Sequence, residues 1–314
     1  MKKHNFALIG AAGFIAPRHL RAIRETGQNL VAVMDPHDSV GIIDTYFPEA
    51  VYFSEFERFD RHCEMLRRAG ELERIHYVSI CSPNYLHDAH IRFALRADAF
   101  AICEKPLVLN PWNAEALKLL EKETGKKIYC ILQLRHHPSI ISLREKILNN
   151  GKTKRHAITL TYITPRGRWY DFSWKGDVNK SGGIATNIGI HFFDMLTWIF
   201  GRATTNTLHY YEPRKAGGLM ELETADVKWF LSIDRNDLPG ERNGTFRSIT
   251  IDGEEMEFSD GFTDLHTISY NEIIQGRGFG VDDSKPAIQA VYEIRNANPV
   301  GLKGEYHPFL KKLI

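Results

Sequence analysis

The chain has 314 residues, 43 % apolar and 25 % charged, with a formal net charge of +1. That length suits two domains of ordinary size, the composition is typical of soluble globular proteins, and the balanced charge excludes a molecule-wide field that would gather nucleic acid or anionic lipid. No apolar run reaches the roughly 18 residues of a membrane span; Met1-Lys2-Lys3-His4 leads into a core strand rather than a signal peptide; and Cys63, Cys81, Cys103 and Cys130, without C-x-x-C spacing, read as reduced buried thiols of a cytoplasmic protein.

Asn5-Phe6-Ala7-Leu8-Ile9 is a short strand pattern. Gly10-Ala11-Ala12-Gly13-Phe14-Ile15-Ala16 turns out of it, a helix runs from about Pro17 to Thr26, and Leu30 to Met34 is a second strand ending in Asp35. A polar, aromatic-containing segment extends to Phe59. A helix from Arg61 to Ala69 then precedes a buried strand from Tyr77 to Cys81, broken at Ser82-Pro83-Asn84. A helix from His87 to Arg96 leads into the apolar run Ala99 to Cys103; Pro111 to Thr124 is again helical and Lys127 to Gln133 again a strand. Repeated crossovers of this kind predict a doubly wound parallel sheet.

After a linking helix from Pro138 to Asn149 the pattern changes. Residues 157–164, 205–211, 226–233 and 248–251 alternate in hydropathy, which predicts a mostly antiparallel sheet with one wetted face. The fold class is therefore α/β. A Rossmann domain over residues 1–135 carries the doubly wound parallel sheet, and an α+β domain over 136–314 is built on a mostly antiparallel open sheet. The Lys-rich tail from Gly301 is expected to close against the first domain or a neighbouring subunit.

The order strand, Gly-rich turn, helix, strand, acid places a pyrophosphate on a helix N-terminus, where free amides point at the anion. It also places Asp35, about 22 residues after Gly13, on the ribose hydroxyls. Gly10 and Gly13 are three apart, as if one residue were added to the G-x-G turn. Asp35 repels a 2′-phosphate and no Arg directly follows it, so NAD is expected rather than NADP. Cys103-Glu104-Lys105-Pro106 closes a buried strand with a carboxylate and an amine. Charges at that depth need partners or a task, and ligands bind at the carboxyl ends of parallel strands. Lys105 is thus a candidate catalytic amine at the mouth of a cofactor cleft; the bland alternative is a pair of loop charges. Further on, Ser181-Gly182-Gly183 introduces an apolar segment on which Asn187, His191 and Asp194 fall at i, i+4 and i+7 of a helix. His191 takes a proton near neutral pH and Asp194 could fix its tautomer; the alternative is a buried, hydrogen-bonded histidine. His87 and His90 lack a nearby Cys or third ligand, so no metal site is expected.

Gly10 to Ala16, Ser82-Pro83-Asn84 with His87, Glu104-Lys105-Pro106 and Gly182 to Asp194 follow one another as in the glucose–fructose oxidoreductase / inositol dehydrogenase (Gfo/Idh/MocA) family, which the chain resembles over most of its length. Arg135-His136-His137, Tyr162 to Tyr170, Ser173-Trp174-Lys175-Gly176-Asp177 and Gly261-Phe262-Thr263-Asp264-Leu265-His266 resemble one branch, the UDP-N-acetyl-D-glucosaminuronate 3-dehydrogenases of bacterial O-antigen lipopolysaccharide synthesis.

The resemblance implies oxidation of a sugar C3 hydroxyl with hydride passing to NAD⁺. Lys105 would be the base and His191 its partner in the proton relay. Glu104 would orient Lys105 or touch the cofactor amide. It implies cofactor contacts from Gly10, Ala12, Gly13, Phe14, Ile15, Asp35, Ser82, Pro83, Asn84, His87, Glu104, Lys105, Gln133, Trp174 and Lys175. Substrate contacts would come from Lys105, Arg135, Arg166, Arg168, Tyr170, Asn187 and His191. Guanidinium forks and Lys175 would meet the diphosphate and carboxylate of a UDP-sugar uronate, with Trp169, Tyr170 and Trp174 stacking on the uracil or covering the nicotinamide. Many family members carry Asp at the position of Asn187, which shifts acid–base duty toward Lys105 and His191.

Some relatives in that branch reoxidise NADH in place with 2-oxoglutarate, a small dicarboxylate that would fit the same cationic pocket; no residue reads this out. A homo-oligomer, dimer or tetramer, is expected through the open face of the second sheet, and the Lys-Pro bond is often cis in the family. Three other readings stand beside this one. A dehydrogenase of a free sugar or inositol would not need the Arg and Lys set. A non-catalytic dinucleotide-sensing regulator fits poorly with retention of Lys105 and His191. An NAD-dependent glycosidase would oxidise C3 only transiently.

Overall fold

The computed structural model describes residues 3–149, 154–240, 243–256 and 264–312; Gly261-Phe262-Thr263 of the last resembling segment lies outside them. In chain order the elements are β1 (Asn5–Ile9), α1 (Ala16–Glu25), β2 (Asn29–Met34), α2 (Ile42–Tyr46), β3 (Val51–Phe53), α3 (Phe56–Ala69), β4 (Tyr77–Ile80), α4 (His87–Arg96), β5 (Phe100–Cys103), α5 (Pro111–Thr124) and β6 (Ile128–Cys130). There follow α6 (Pro138–Asn149), β7 (His156–Ile163), α7 (Trp169–Phe172), α8 (Val178–Ser181), α9 (Ile190–Phe200), β8 (Ala203–Glu212), β9 (Lys215–Leu222), β10 (Ala225–Ser232), β11 (Phe246–Ile251), β12 (Glu254–Glu255), α10 (Leu265–Ile274) and α11 (Val281–Asn296). The chain divides into two compact units, Met1–His136 with Thr263–Ser284, and His137–Phe262 with Lys285–Ile314. Among the described residues no helix is long and apolar enough to cross a membrane.

The first unit is a parallel six-stranded sheet in the order β3-β2-β1-β4-β5-β6. Its central strands are buried on both faces, so they read as continuous apolar runs rather than alternating ones. The order reverses between β1 and β4, the switch point where a crevice opens at the strand ends. α1 buries Ala16, His19, Leu20, Ala22 and Ile23 along one face and carries Pro17 in its first turn, where the missing N–H costs nothing. The unbroken boundary at 135/136 would put residues 264–284 in the second domain. They pack in the first unit instead: α10 buries Leu265, His266, Ser269, Tyr270 and Ile273, and Tyr270 and Ile273 join the apolar cluster of Phe6, Leu8, Leu20 and Ile23.

The second unit is a mixed sheet in the order β12-β11-β7-β10-β9-β8, antiparallel except for the β7–β10 pair. Its core centres on Trp229, fully buried and edge-on to Phe193 at 5.4 Å. Strand β9 has no counterpart among the predicted strands. Gly217 and Gly218 give it the look of a turn. A Cβ at Gly218 would lie 2.4 Å from the Thr207 carbonyl and 2.8 Å from the Trp229 ring, so the glycines make room for neighbours. The C-terminal tail, expected to close on the first domain or a neighbouring subunit, belongs to the second unit. It packs on its own unit's sheet: Leu310 fills the space over Gly217, and His307 Nε2 meets Thr161 Oγ1 at 2.9 Å.

Candidate active site

The turn after β1 is held from three sides. Gly10 has φ +92°, and a Cβ there would sit 2.6 Å from the Cys81 carbonyl carbon and the Ser82 nitrogen, so only glycine lets this turn touch the end of β4. The Gly13 amide donates back to the Gly10 carbonyl at 3.1 Å. Asp35, buried at the end of β2, accepts the Ala12 amide on Oδ2 and the His37 amide on Oδ1, both at 2.9 Å. A carboxylate offers about four lone-pair sites, so Asp35 can brace the turn and still receive hydroxyl donors. The Phe14 and Ile15 amides take no acceptor among the described residues, just ahead of the first turn of α1. Phe14 stands 86 % exposed at the tip. Spare amides beside a helix start, a cradle a Cβ would fill, and an acid at the second strand end suit a dinucleotide.

The loops after β4 and β5 are tied together by His87. Its Nδ1 lies 2.7 Å from the Pro106 carbonyl and its Nε2 2.8 Å from the Ser82 carbonyl. Carbonyl oxygens only accept, so this geometry favours a ring protonated on both nitrogens and opposes the burial that pushes the His87 pKa down. Asn84 is buried at the start of a short 3-10 turn, Asn84–Leu86, after Pro83. The Lys105–Pro106 bond is cis. The Lys105 side chain is 12 % exposed, with Nζ 3.6 Å from Glu104 Oε2. Burial lowers the Lys105 pKa, and the Glu104 charge only partly restores it. For Glu104 burial opposes ionisation most strongly, yet the Lys105 charge and hydrogen bonds from His19 and His266 prevail and hold its carboxyl well below the ordinary range.

Gln133 and Arg135 sit in a buried 3-10 turn, Gln133–His136, beyond β6 rather than on the strand itself. Arg135 does not reach outward as a substrate clamp would. It is buried, donates to the Asp283 carbonyl at 2.8 Å, and stacks 5.0 Å from the Phe279 ring.

In the second unit the segment after Gly182-Gly183 opens as a π-helical turn, Ala185–Gly189, before α9. A Cβ at Gly189 would strike Leu231 at 2.6 Å and Phe193 at 2.7 Å, so this turn lies directly on β10. From Ile184 to Thr197 only Asn187 and His191 are half-buried; Asp194 is buried with the rest. Asn187 Nδ2 donates to the Tyr170 hydroxyl at 2.6 Å. Arg166 bears electrostatically on both Tyr170 and Lys175: burial and then Arg166 lower the Lys175 pKa. Lys175 Nζ lies 5.1 Å from the Trp169 ring and 5.6 Å from the Trp174 ring. Arg168 is exposed. The structure thus brings Arg166, Tyr170, Trp174, Lys175 and Asn187 into one neighbourhood.

Sequence reasoning missed the residue that organises that neighbourhood. Arg214 donates to both Asp171 carboxylate oxygens at 2.7 Å and to the Arg166 carbonyl at 2.8 Å, pinning α7 to the end of β7. It also missed His19, His266 and Tyr270 behind Glu104. Nothing in their spacing marks them, because they come from helices at opposite ends of the chain.

A two-domain, dinucleotide-dependent oxidoreductase is the class these features define. The comparisons agree. The model of an oxidoreductase family with an NAD-binding Rossmann fold (Gfo/Idh/MocA) matches residues 4–131, and that of its C-terminal alpha/beta domain matches residues 144–227. The WlbA (WbpB) dehydrogenase from Thermus thermophilus, solved with NAD and alpha-ketoglutarate, is 50 % identical over 98 % of this chain and 99 % of that one, with a TM-score of 0.93. Its complex with NAD and UDP-GlcNAcA superposes with a TM-score of 0.92 at 49 % identity. Among curated proteins, an Escherichia coli D-glucoside 3-dehydrogenase is 28 % identical over 45 % of this chain, and a Rhizobium meliloti inositol 2-dehydrogenase is 27 % identical over 62 %. The chain spans 40 % and 54 % of the lengths of these two. The chain belongs to the Gfo/Idh/MocA oxidoreductase family.

Proposed function

We propose that this chain is an NAD-dependent dehydrogenase that oxidises the C3 hydroxyl of UDP-N-acetyl-D-glucosaminuronate. The observation that carries this reading is the 50 % identity, across nearly the whole chain, to a dehydrogenase solved with NAD and alpha-ketoglutarate, and with UDP-GlcNAcA in a second complex. In our reading Gly10, Ala12, Gly13, Phe14, Ile15, Asp35 and the Ser82-Pro83-Asn84 loop hold the dinucleotide. NAD, when bound, supplies the hydride acceptor. Lys105 takes the hydroxyl proton: its lowered pKa increases the neutral fraction of an amine that burial keeps from water. The ammonium that results is compensated by Glu104, 3.6 Å away.

From the second unit we assign His191 as the partner in proton transfer and the Asn187–Tyr170 pair to the sugar hydroxyls. Arg166 and Lys175 are assigned to the substrate's negative charge, with Arg168 at the exposed rim. Arg135, engaged with Asp283, serves the fold in this reading. 2-Oxoglutarate is proposed as the acceptor that restores NAD⁺, in a cytoplasmic homo-oligomer serving O-antigen synthesis. Protein incubated with UDP-N-acetylglucosaminuronate and 2-oxoglutarate, without added NAD⁺, should form 2-hydroxyglutarate; its absence counts against recycling. Lys105→Met should retain NAD binding and lose about 10²–10⁴-fold in kcat. Near-wild-type turnover would exclude the assignment.

A further inference from the structure

Behind Lys105 lies a fully partnered polar cluster in the apolar core of the first unit. Ser79, His19 and Tyr270 are completely buried, His266 5 % and Glu104 6 % exposed. His19 Nε2 and His266 Nε2 both reach one carboxylate oxygen, Glu104 Oε1, at 2.8 and 3.0 Å. The other oxygen, Oε2, faces the Lys105 amide at 3.3 Å and its amine at 3.6 Å. His19 Nδ1 meets the Tyr270 hydroxyl at 2.7 Å, and that hydroxyl meets Ser79 Oγ at 2.6 Å.

Hydrogen-bond arithmetic fixes the two links to Glu104, and one ring tautomer then orders the rest. An ionised carboxylate only accepts, so both Nε2 atoms carry protons. With its one ring proton on Nε2, His19 presents a bare Nδ1 to the Tyr270 proton. The Tyr270 oxygen is left to accept from Ser79. Burial favours neutral imidazole at His266, in keeping with this assignment. The same three side chains, His19, Glu104 and His266, could in principle hold a metal ion. Ligands of a tetrahedral zinc with bonds of about 2.0–2.1 Å stand about 3.3 Å apart, so the shorter separations here are those of hydrogen bonds.

We propose that Ser79, Tyr270, His19 and His266 form a one-way hydrogen-bond chain that keeps Glu104 a carboxylate facing Lys105, and so sets the basicity of that amine. Tyr270, His19 and His266 are positioning residues; none is assigned to the substrate. The proposal rests on the reading of Lys105 as the proton acceptor. The other groups that face the pair are Arg18 from α1, Cys130 at the end of β6, Cys103 at the end of β5, Cys81 after β4 and His87 from α4. Burial holds the Cys81 thiol protonated. Arg18 pushes the amine in the direction burial does, so Glu104 is the counterweight. Losing a donor to Glu104 raises the carboxyl pKa. A carboxyl held so far below the ordinary range stays ionised where the amine titrates; with one N–H fewer to share its charge it supports the ammonium more strongly, so the Lys105 midpoint rises.

Two measurements on the full-length protein test this. Ring ¹⁵N spectra of the native protein should show His19 and His266 each with a single ring proton, on Nε2; an Nδ1–H tautomer or an imidazolium at either site overturns the chain. Competitive amine labelling across pH should place the Lys105 midpoint about one unit higher in His266→Phe, a tenfold gain of basicity. It should return to within a few tenths in His266→Gln, which keeps an N–H donor, while Tyr270→Phe moves it in the same upward direction. An unchanged or lowered midpoint in both His266→Phe and Tyr270→Phe, or stoichiometric zinc on metal analysis, overturns the proposal. None of these readouts requires turnover. An active Lys105→Met enzyme would sink the catalytic reading while leaving the labelling result in place.

Discussion

Replacing Gly10 with alanine tests the cradle directly. Two costs are built into the site. An L-residue in the left-handed region costs about 1–2 kcal/mol, and Gly10 sits at φ +92°. The added Cβ would also lie 2.6 Å from two backbone atoms of Cys81 and Ser82 and 2.7 Å from a third. Carbon contacts are normally about 3.5–4.0 Å, so one of two adjacent strand ends must move, at about 1–3 kcal/mol for overpacking. Together Gly10→Ala should lose about 2–5 kcal/mol, a large part of the roughly 5–15 kcal/mol that stabilises a typical domain. Gly27→Ala separates the terms: φ is +74° and nothing lies within 4 Å, so it should lose only the first. Urea unfolding with unchanged slope reads the difference, and calorimetric titration should show NAD bound at least about tenfold more weakly by Gly10→Ala, equivalent to about 1.4 kcal/mol. If Gly10→Ala costs no more than Gly27→Ala, the close approach to β4 is not what glycine serves here.

Asp35→Ala removes the acceptor of two backbone amides and the charge that rejects a 2′-phosphate; NAD affinity should fall at least about tenfold and the NAD/NADP preference should narrow, and an unchanged preference by paired KM measurements would contradict the role. Tyr170→Phe leaves Asn187 Nδ2 without its 2.6 Å acceptor, so KM for UDP-N-acetylglucosaminuronate should rise about tenfold with kcat nearly kept; a collapse of kcat at constant KM would instead give the hydroxyl a proton-transfer duty. His307 is neutral in the fold, its Nδ1 accepting the Phe309 amide at 3.1 Å, and burial lowers its pKa from 6.5 to about 4. The unfolded chain therefore binds the extra proton first: this contribution is intact above 6.5, and about 2 kcal/mol of it is lost between about pH 7 and pH 5. His307→Gln should flatten the pH dependence of urea unfolding over that interval, and an unaltered slope would refute it.

Much of the first unit was legible because parallel strands buried on both faces leave apolar runs, and because glycine, acid and amine stand at the ends of those runs. Lys105 and the half-buried pair Asn187 and His191 were visible for the same reason: polar groups are conspicuous in apolar surroundings. What escaped depends on contacts distant in sequence. Gly217-Gly218 looks like a turn until Trp229 is seen across the strand. Arg135 looks like an anion clamp until Asp283 and Phe279 claim it. Arg214 looks like a surface cation, and only the fold brings Asp171 and the Arg166 carbonyl to it.

Helix α10 is translated after all the strands of both sheets, yet its Tyr270 and Ile273 complete the wall against Phe6, Leu20 and Ile23. A nascent chain that has already released β6 from the ribosome must wait on the order of ten seconds before α10 emerges, at typical elongation rates. Until then that wall is bare and Glu104 lacks His266, whose ring arrives 162 positions later. A chaperone that shields apolar surface would find its substrate in that interval, and a truncation after β6 would leave the gap permanently open.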